Sequence, residues 1–98
     1  MLDSNKIYEL LKKIPKGKVT TYGEIAKKLD SRAFRGVGKI IGQNPNAPQV
    51  PCHRVVKSDG KISGYAFGVD KKITLLKSEG IEVLDGKIKS FKEKLFTF

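Results

Sequence analysis

The 98 residues contain no tryptophan and only one cysteine, one histidine and one methionine. A lone cysteine, Cys52, excludes an intramolecular disulfide and leaves a free thiol, which suits a reducing compartment: cytoplasm, or nucleus in a eukaryote. One cysteine plus one histidine falls short of the usual four zinc ligands, so neither a metal nor another cofactor is expected. No apolar run approaches the ~20 residues a membrane-crossing helix needs. Met1-Leu2-Asp3-Ser4-Asn5 lacks the basic segment and apolar stretch of a secretory signal. Acidic groups are scarce, ten against twenty Lys and Arg, for a net charge of +10. Residues 1–50 carry ten basic and four acidic groups, and residues 51–98 carry ten and six, so the excess is not a basic tail on a neutral body. A polyanion is the expected partner, nucleic acid before membrane.

The composition, 39% hydrophobic and 31% charged, supports one small core. A chain of this length is expected to form a single domain, residues 1–98, with roughly 60–70% of its unfolded surface hidden. Ile7, Leu10, Leu11 and Ile14 make a helical stripe over Ser4 to about Lys13, and Pro15-Lys16-Gly17 ends it. Val19 and Thr20 read as extended. Thr21 and Glu24 form a capping-box pattern that opens a second helix with Ile25, Ala26 and Leu29 inward. Asp30-Ser31 closes that helix and can cap a third over Arg32–Gly42, which makes a helix-turn-helix candidate. Gly36, Gly38 and Gly42 cost the third helix roughly 1 kcal/mol each relative to alanine. Either it is frayed, or its outer face is kept slim for another backbone to approach. Asn44-Pro45-Asn46-Ala47-Pro48 is a loop, Arg54-Val55-Val56-Lys57 a strand and Ser63–Gly68 a second loop. Asp70 is expected to cap a helix to Ser78 whose apolar side is Ile73, Leu75 and Leu76, with Gly80 as its stop. Ile81-Glu82-Val83 and Lys87-Ile88-Lys89 flank an Asp85-Gly86 hairpin turn. Phe91, Leu95 and Phe96 suit a last amphipathic turn. The expected fold is α+β, mostly helical: a winged-helix-like helix-turn-helix domain with a short hairpin near the cysteine.

Few residues can do chemistry, and two of them are adjacent, Cys52-His53. A buried structural cysteine beside a surface histidine is the plain reading. Against it stand Pro51, which fixes the chain's approach, Arg54, which favours thiolate over thiol, and the Gly/Pro/Asn-rich loops on either side, which suit a pocket mouth. Neighbours in an extended chain point to opposite faces, so His53 would reach the sulfur through a water, with a third group to orient it.

Pro51-Cys52-His53-Arg54-Val55 resembles the PCHRV signature of the O6-alkylguanine-DNA alkyltransferases. Val19–Ala26 resembles their helix-turn-helix entry. Arg35-Gly36-Val37-Gly38 with Asn44-Pro45 resembles their recognition helix and hinge, and Gly64-Tyr65 before Gly68-Val69 their active-site loop. Leu75–Gly80 is similar to their closing helix. The resemblance covers about residues 4–84 and is to the family's C-terminal catalytic domain, without the extra N-terminal domain of many relatives.

The resemblance implies a single-turnover repair protein that moves the alkyl group of O6-alkylguanine, and of O4-alkylthymine, in double-stranded DNA onto Cys52. His53 would take the thiol proton through water, with Glu79 holding the imidazole. Tyr22 would bond guanine N3 and supply a proton. The target base must leave the duplex. Arg35 would fill its place, while Ala33, Gly36 and Gly38 fit the minor groove and Thr21 adds a DNA contact. Asn44 would tie the recognition helix to the cysteine segment. The carbonyls of Cys52 and Val55 would read the exocyclic amine, and the Ala66 N–H would reach O6. Tyr65 and Phe67 would line the pocket, and Phe67 would obstruct a benzyl group. Ala66 departs from a frequent family serine, so one hydroxyl contact is missing. A monomer with no obligate protein partner is expected. The alternatives are a non-enzymatic alkyltransferase-like binder of alkylated DNA, a transcription regulator and a cysteine hydrolase. The first replaces the cysteine, the second needs polar base-reading side chains where this chain has glycines, and the third fits a small basic chain poorly.

Overall fold

The computed structural model describes residues 3–44, 49–65 and 68–98. Helix α1 (Ser4–Lys13) begins where the Asp3 carboxylate accepts the N–H groups of Asn5 and Lys6, and it buries Ile7, Leu10 and Leu11. Strand β1 (Thr20–Thr21) runs directly into α2 (Tyr22–Lys28), and Thr21 Oγ1 accepts the Glu24 N–H at 3.0 Å as the capping pattern predicts. Asp30 ends α2 in the left-handed region at φ 53. The Ser31 N–H reaches the Ala26 carbonyl and the Asp30 N–H the Lys27 carbonyl, the paired bonds of a Schellman turn. Helix α3 (Phe34–Gly42) follows and buries Val37 and Ile41 against α1 and α2. It starts two residues later than expected, because the Ser31 hydroxyl is spent on the Ala33 N–H in the turn rather than on a helical donor.

The expected strand at 54–57 is shorter. Residues Cys52–Arg54 form a 3-10 turn, and β2 is Val55–Val56 alone. It pairs in parallel with β1, Thr20 opposite Val55 and Thr21 opposite Val56. Tyr22, which follows β1, is thereby brought beside the turn that precedes β2. The tail extends the sheet on the other side of β1: Val19 bridges Leu95, and the Thr20 hydroxyl donates to the Phe96 carbonyl.

Helix α4 (Val69–Ser78) begins at Gly68, so Asp70 lies in its first turn and is not its cap. Its buried residues are Lys72 and Leu76, one turn apart, while Ile73 and Leu75 are half-buried. Gly80, at φ +84, donates its N–H to the Lys77 carbonyl and Ile81 donates to Leu76, which stops the helix as expected. Strands β3 (Val83–Leu84) and β4 (Lys87–Ile88) make the hairpin, with positive φ at both Asp85 and Gly86. The hairpin pairs with the segment after the cysteine, since Ile62 donates to the Gly86 carbonyl and Ile88 to that of Gly60. Helix α5 (Phe91–Lys94) completes the fold. Two apolar clusters result. The larger joins α1, α2, α3 and the cysteine segment; the smaller joins Val19, Val56, Leu76, Ile81 and Ile88.

Candidate active site and nucleic-acid surface

Cys52 is buried at the start of the 3-10 turn and belongs to the larger cluster. It borders a small cleft of about 50 Å³, enough for a few waters, lined also by Tyr22, Gly38, Asn44, Gly64 and Tyr65. Asn44, just past α3, is buried and donates Nδ2–H to the Val50 carbonyl at 2.7 Å. This bond ties the end of α3 to the cysteine segment.

His53 is 1% exposed, so the plain reading of a surface histidine does not hold. Its Nε2 lies 3.0 Å from Glu79 Oε2. Glu79 is also gripped by Arg54, through Nε at 2.9 Å and Nη2 at 2.6 Å, and Arg54 Nη1 donates to the Ile14 carbonyl. Burial pushes the Glu79 carboxyl up, but hydrogen bonds from Arg54 and His53 outweigh it and hold the group below its usual value. An ionised carboxylate can only accept, so the imidazole must carry its proton on Nε2. Nδ1 then holds the lone pair, and among the described residues it has no hydrogen-bond partner. Burial lowers the His53 pKa despite the opposing pull of Glu79, which favours the neutral ring. The Schellman turn at Gly80 is what presents Glu79 here, at the end of α4.

One expectation fails. Arg54 is spent on Glu79 and Ile14, so it is not the cation beside the thiol. The buried cation that interacts electrostatically with Cys52 is Lys72, 1% exposed. Its Nζ donates to the Val55 carbonyl at 2.7 Å and to Ser63 Oγ at 2.9 Å. Burial brings it down to about 8, with an electrostatic pull from Cys52 in the other direction. The Val55 carbonyl is therefore engaged inside the protein, as is that of Cys52, which accepts the Val55 N–H. A carbonyl oxygen has two lone pairs, so the Cys52 oxygen keeps capacity for a second donor. A lysine one turn before Leu76, on the stripe that should be apolar, was the overlooked signal.

Ser63 connects Lys72 to Tyr22, whose hydroxyl lies 2.6 Å from Ser63 Oγ. Burial raises the Tyr22 pKa, so the phenol keeps its proton. Tyr65 packs on the larger cluster and lines the cleft with Cys52. Its phenol is pushed up to about 12 by burial and by Cys52. Ala66 and Phe67 lie outside the described residues.

The surface beside the cleft is the open face of α3. Ala33 and Arg35 are exposed, while Gly36 and Gly38 are half-exposed. A Cβ on Gly38 would meet only the Tyr22 ring, at an ordinary 3.9 Å, and one on Gly42 would meet nothing within 4 Å. Internal packing demands neither glycine. Thr21 is buried with its hydroxyl oxygen capping α2, so its side chain is not part of this face. No acidic residue occurs between Asp30 and Asp59, a stretch that holds all of α3 and the cysteine turn. Among the described residues no helix is long and apolar enough to cross a membrane, and no cluster of metal-ligating side chains is found.

A short helix-turn-helix with a slim, acid-free second helix defines a DNA-binding domain, here with a buried thiol behind that helix. Residues 4–81 match the family described as 6-O-methylguanine DNA methyltransferase, DNA binding domain, and the chain belongs to this family. The methylated-DNA–protein-cysteine methyltransferase of Methanosarcina acetivorans is 51% identical over 75 residues, covering 76% of this chain and 48% of the relative. The DNA base-flipping protein of Vibrio parahaemolyticus is 45% identical over 85 residues, with 85% of each chain covered. Among solved structures, S. pombe Atl1 in complex with damaged DNA containing O6-carboxymethylguanine is similar at a TM-score of 0.83 and 31% identity, over 97% of this chain and 94% of that one. The chain spans half or less of the length of the first methyltransferase relatives it matches.

Proposed function

We propose that the protein repairs alkylated DNA by taking the alkyl group of O6-alkylguanine, and of O4-alkylthymine, onto Cys52, once per molecule. The observation that carries this reading is the buried His53–Glu79 pair directly after Cys52, with His53 Nδ1 left as the lone-pair nitrogen. In the transfer the sulfur–carbon bond forms as the carbon–O6 bond breaks. The thiol proton passes to His53 Nδ1 through an intervening water, and the departing guanine takes a proton from Tyr22. The imidazolium's proton then restores the phenol by way of solvent. Lys72, a buried cation that interacts with Cys52, would stabilise the negative charge that develops on the sulfur as it attacks. Asn44 and Tyr65 hold the cysteine segment and the cleft wall. The match is to a DNA-binding domain; that the same domain carries the chemistry is our reading of Cys52 and its surroundings.

The target base would be extruded from the duplex, with Arg35 entering the vacated space and Ala33, Gly36 and Gly38 lying against the minor groove. The Cys52→Ser variant tests this. It should bind an O6-methylguanine duplex as the parent does while transferring none of a labelled methyl group. Transfer by the serine variant would mean that Cys52 is not the acceptor.

A second reading, a binder of alkylated DNA that performs no transfer, is favoured by the near full-length likeness to Atl1 and to the Vibrio base-flipping protein. The presence of Cys52 weighs against it.

A further inference from the structure

Phe34 is 53% exposed and is the only aromatic among the large hydrophobic side chains left open to solvent in the described residues. An isolated exposed apolar residue ordinarily means nothing. Phe34 differs in where it stands. It is the first residue of α3, and Gly38 and Gly42, which line the Cys52 cleft, follow it at i+4 and i+8. Side chains at that spacing share a helix face, so Phe34 stands one turn from Gly38 on the stripe that borders the cleft. It is also flanked by cations: Arg32 precedes it, Arg35 follows it, and all three are exposed. An apolar ring set among cations on an acid-free face is poorly matched to a protein core and well matched to a polyanion that carries flat apolar groups.

We infer that Phe34 is an apolar wedge that works with Arg35 on duplex DNA. Its ring packs against the sugar and base of the nucleotide bordering the extruded guanine, on the cleft side of the arginine. The inference rests on the base-extrusion reading above. Arginine fills the gap in the stack, and phenylalanine keeps the neighbouring step open, as apolar side chains do in minor-groove proteins that unstack bases.

Single-turnover methyl transfer should be measured for the parent, Phe34→Ala and Phe34→Leu, on an O6-methylguanine duplex and on the same strand alone. Base–aromatic contact is typically worth roughly 5- to 150-fold. Phe34→Ala should therefore lose about tenfold on the duplex, keep the parent's rate on the single strand and melt at the parent's temperature. Phe34→Leu should retain most of the duplex rate. Equal rates for parent and Phe34→Ala on the duplex would overturn the wedge, as would an equal loss on both substrates. A change in self-association on sedimentation, with duplex transfer unaffected, would instead make Phe34 a protein contact. Fluorescence separates this inference from the transfer reading. A 2-aminopurine beside the lesion should brighten on binding the parent and less on binding Phe34→Ala, even if no methyl moves. Identical brightening would sink the wedge on its own.

Discussion

Glu79 Oε2 accepts a hydrogen bond from His53 Nε2 at 3.0 Å and, from the other side, one from Arg54 at 2.6 Å. This shared oxygen fixes both the charge of the carboxylate and the tautomer of the imidazole. Glu79→Gln can donate as well as accept, so the tautomer would no longer be fixed. Methyl transfer should slow by about 10²-fold or more, and loss of the buried ion pair should cost about 3 kcal/mol. Stopped-flow transfer and denaturant melts measure the two effects separately. In the parent, the His53 pKa lies below the ordinary value, so transfer should hold its rate as pH falls to about 6.5 and decline only beneath it.

Lys72 gives a prediction for stability. Its pKa is about 8 in the folded chain against 10.5 when free, so the unfolded state binds more protons between those values. Stability linked to Lys72 should therefore rise with pH from about 8 towards 10.5. The raised pKa values of Tyr22 and Tyr65 act in the opposite sense, but only above the ordinary tyrosine value near 10. Urea midpoints from pH 8 to 10 should climb for the parent and less for Lys72→Met. Parallel slopes would place the ammonium in contact with solvent.

The glycines of α3 should trade stability for binding. Gly42→Ala adds a Cβ into open space. The variant should gain up to about 1 kcal/mol in stability and bind alkylated duplex more weakly, as read by thermal melts and anisotropy. A gain in stability with unchanged affinity would remove the slim-face argument.

Arg35→Ala should slow transfer on duplex DNA far more than on a free alkylated base, because extrusion costs a few kcal/mol that an inserted side chain offsets in part. Equal slowing on both substrates would assign Arg35 to chemistry or folding.

Much of this architecture is legible in the sequence wherever local chemistry and tertiary need agree. The stripe Ile7–Ile14, the Thr21–Glu24 cap, the Asp85-Gly86 turn and the Gly80 stop each carry a local signal that the fold obeys. The 3-10 turn at Cys52–Arg54 carries none. Its residues suit a strand, and only the parallel pairing of Val55 with Thr20 limits β2 to two residues. The site follows the same division. Cys52, His53 and Glu79 come from a contiguous motif and a helix end. Ser63 and Lys72 act through partners distant in sequence, and the one local sign at Lys72 is its place a turn before Leu76 on the inward stripe of α4. The Arg54 assignment erred for the same reason, since its partner Glu79 lies 25 residues away.

The central claim is that Cys52 accepts the alkyl group, and intact-protein mass spectrometry tests it most directly. After incubation with excess duplex bearing one O6-methylguanine, the whole population should gain the mass of a single methyl group, mapped by peptide fragmentation to Cys52. Tight binding to the duplex with no gain in mass would contradict the account and leave a protein that recognises alkylated DNA without repairing it.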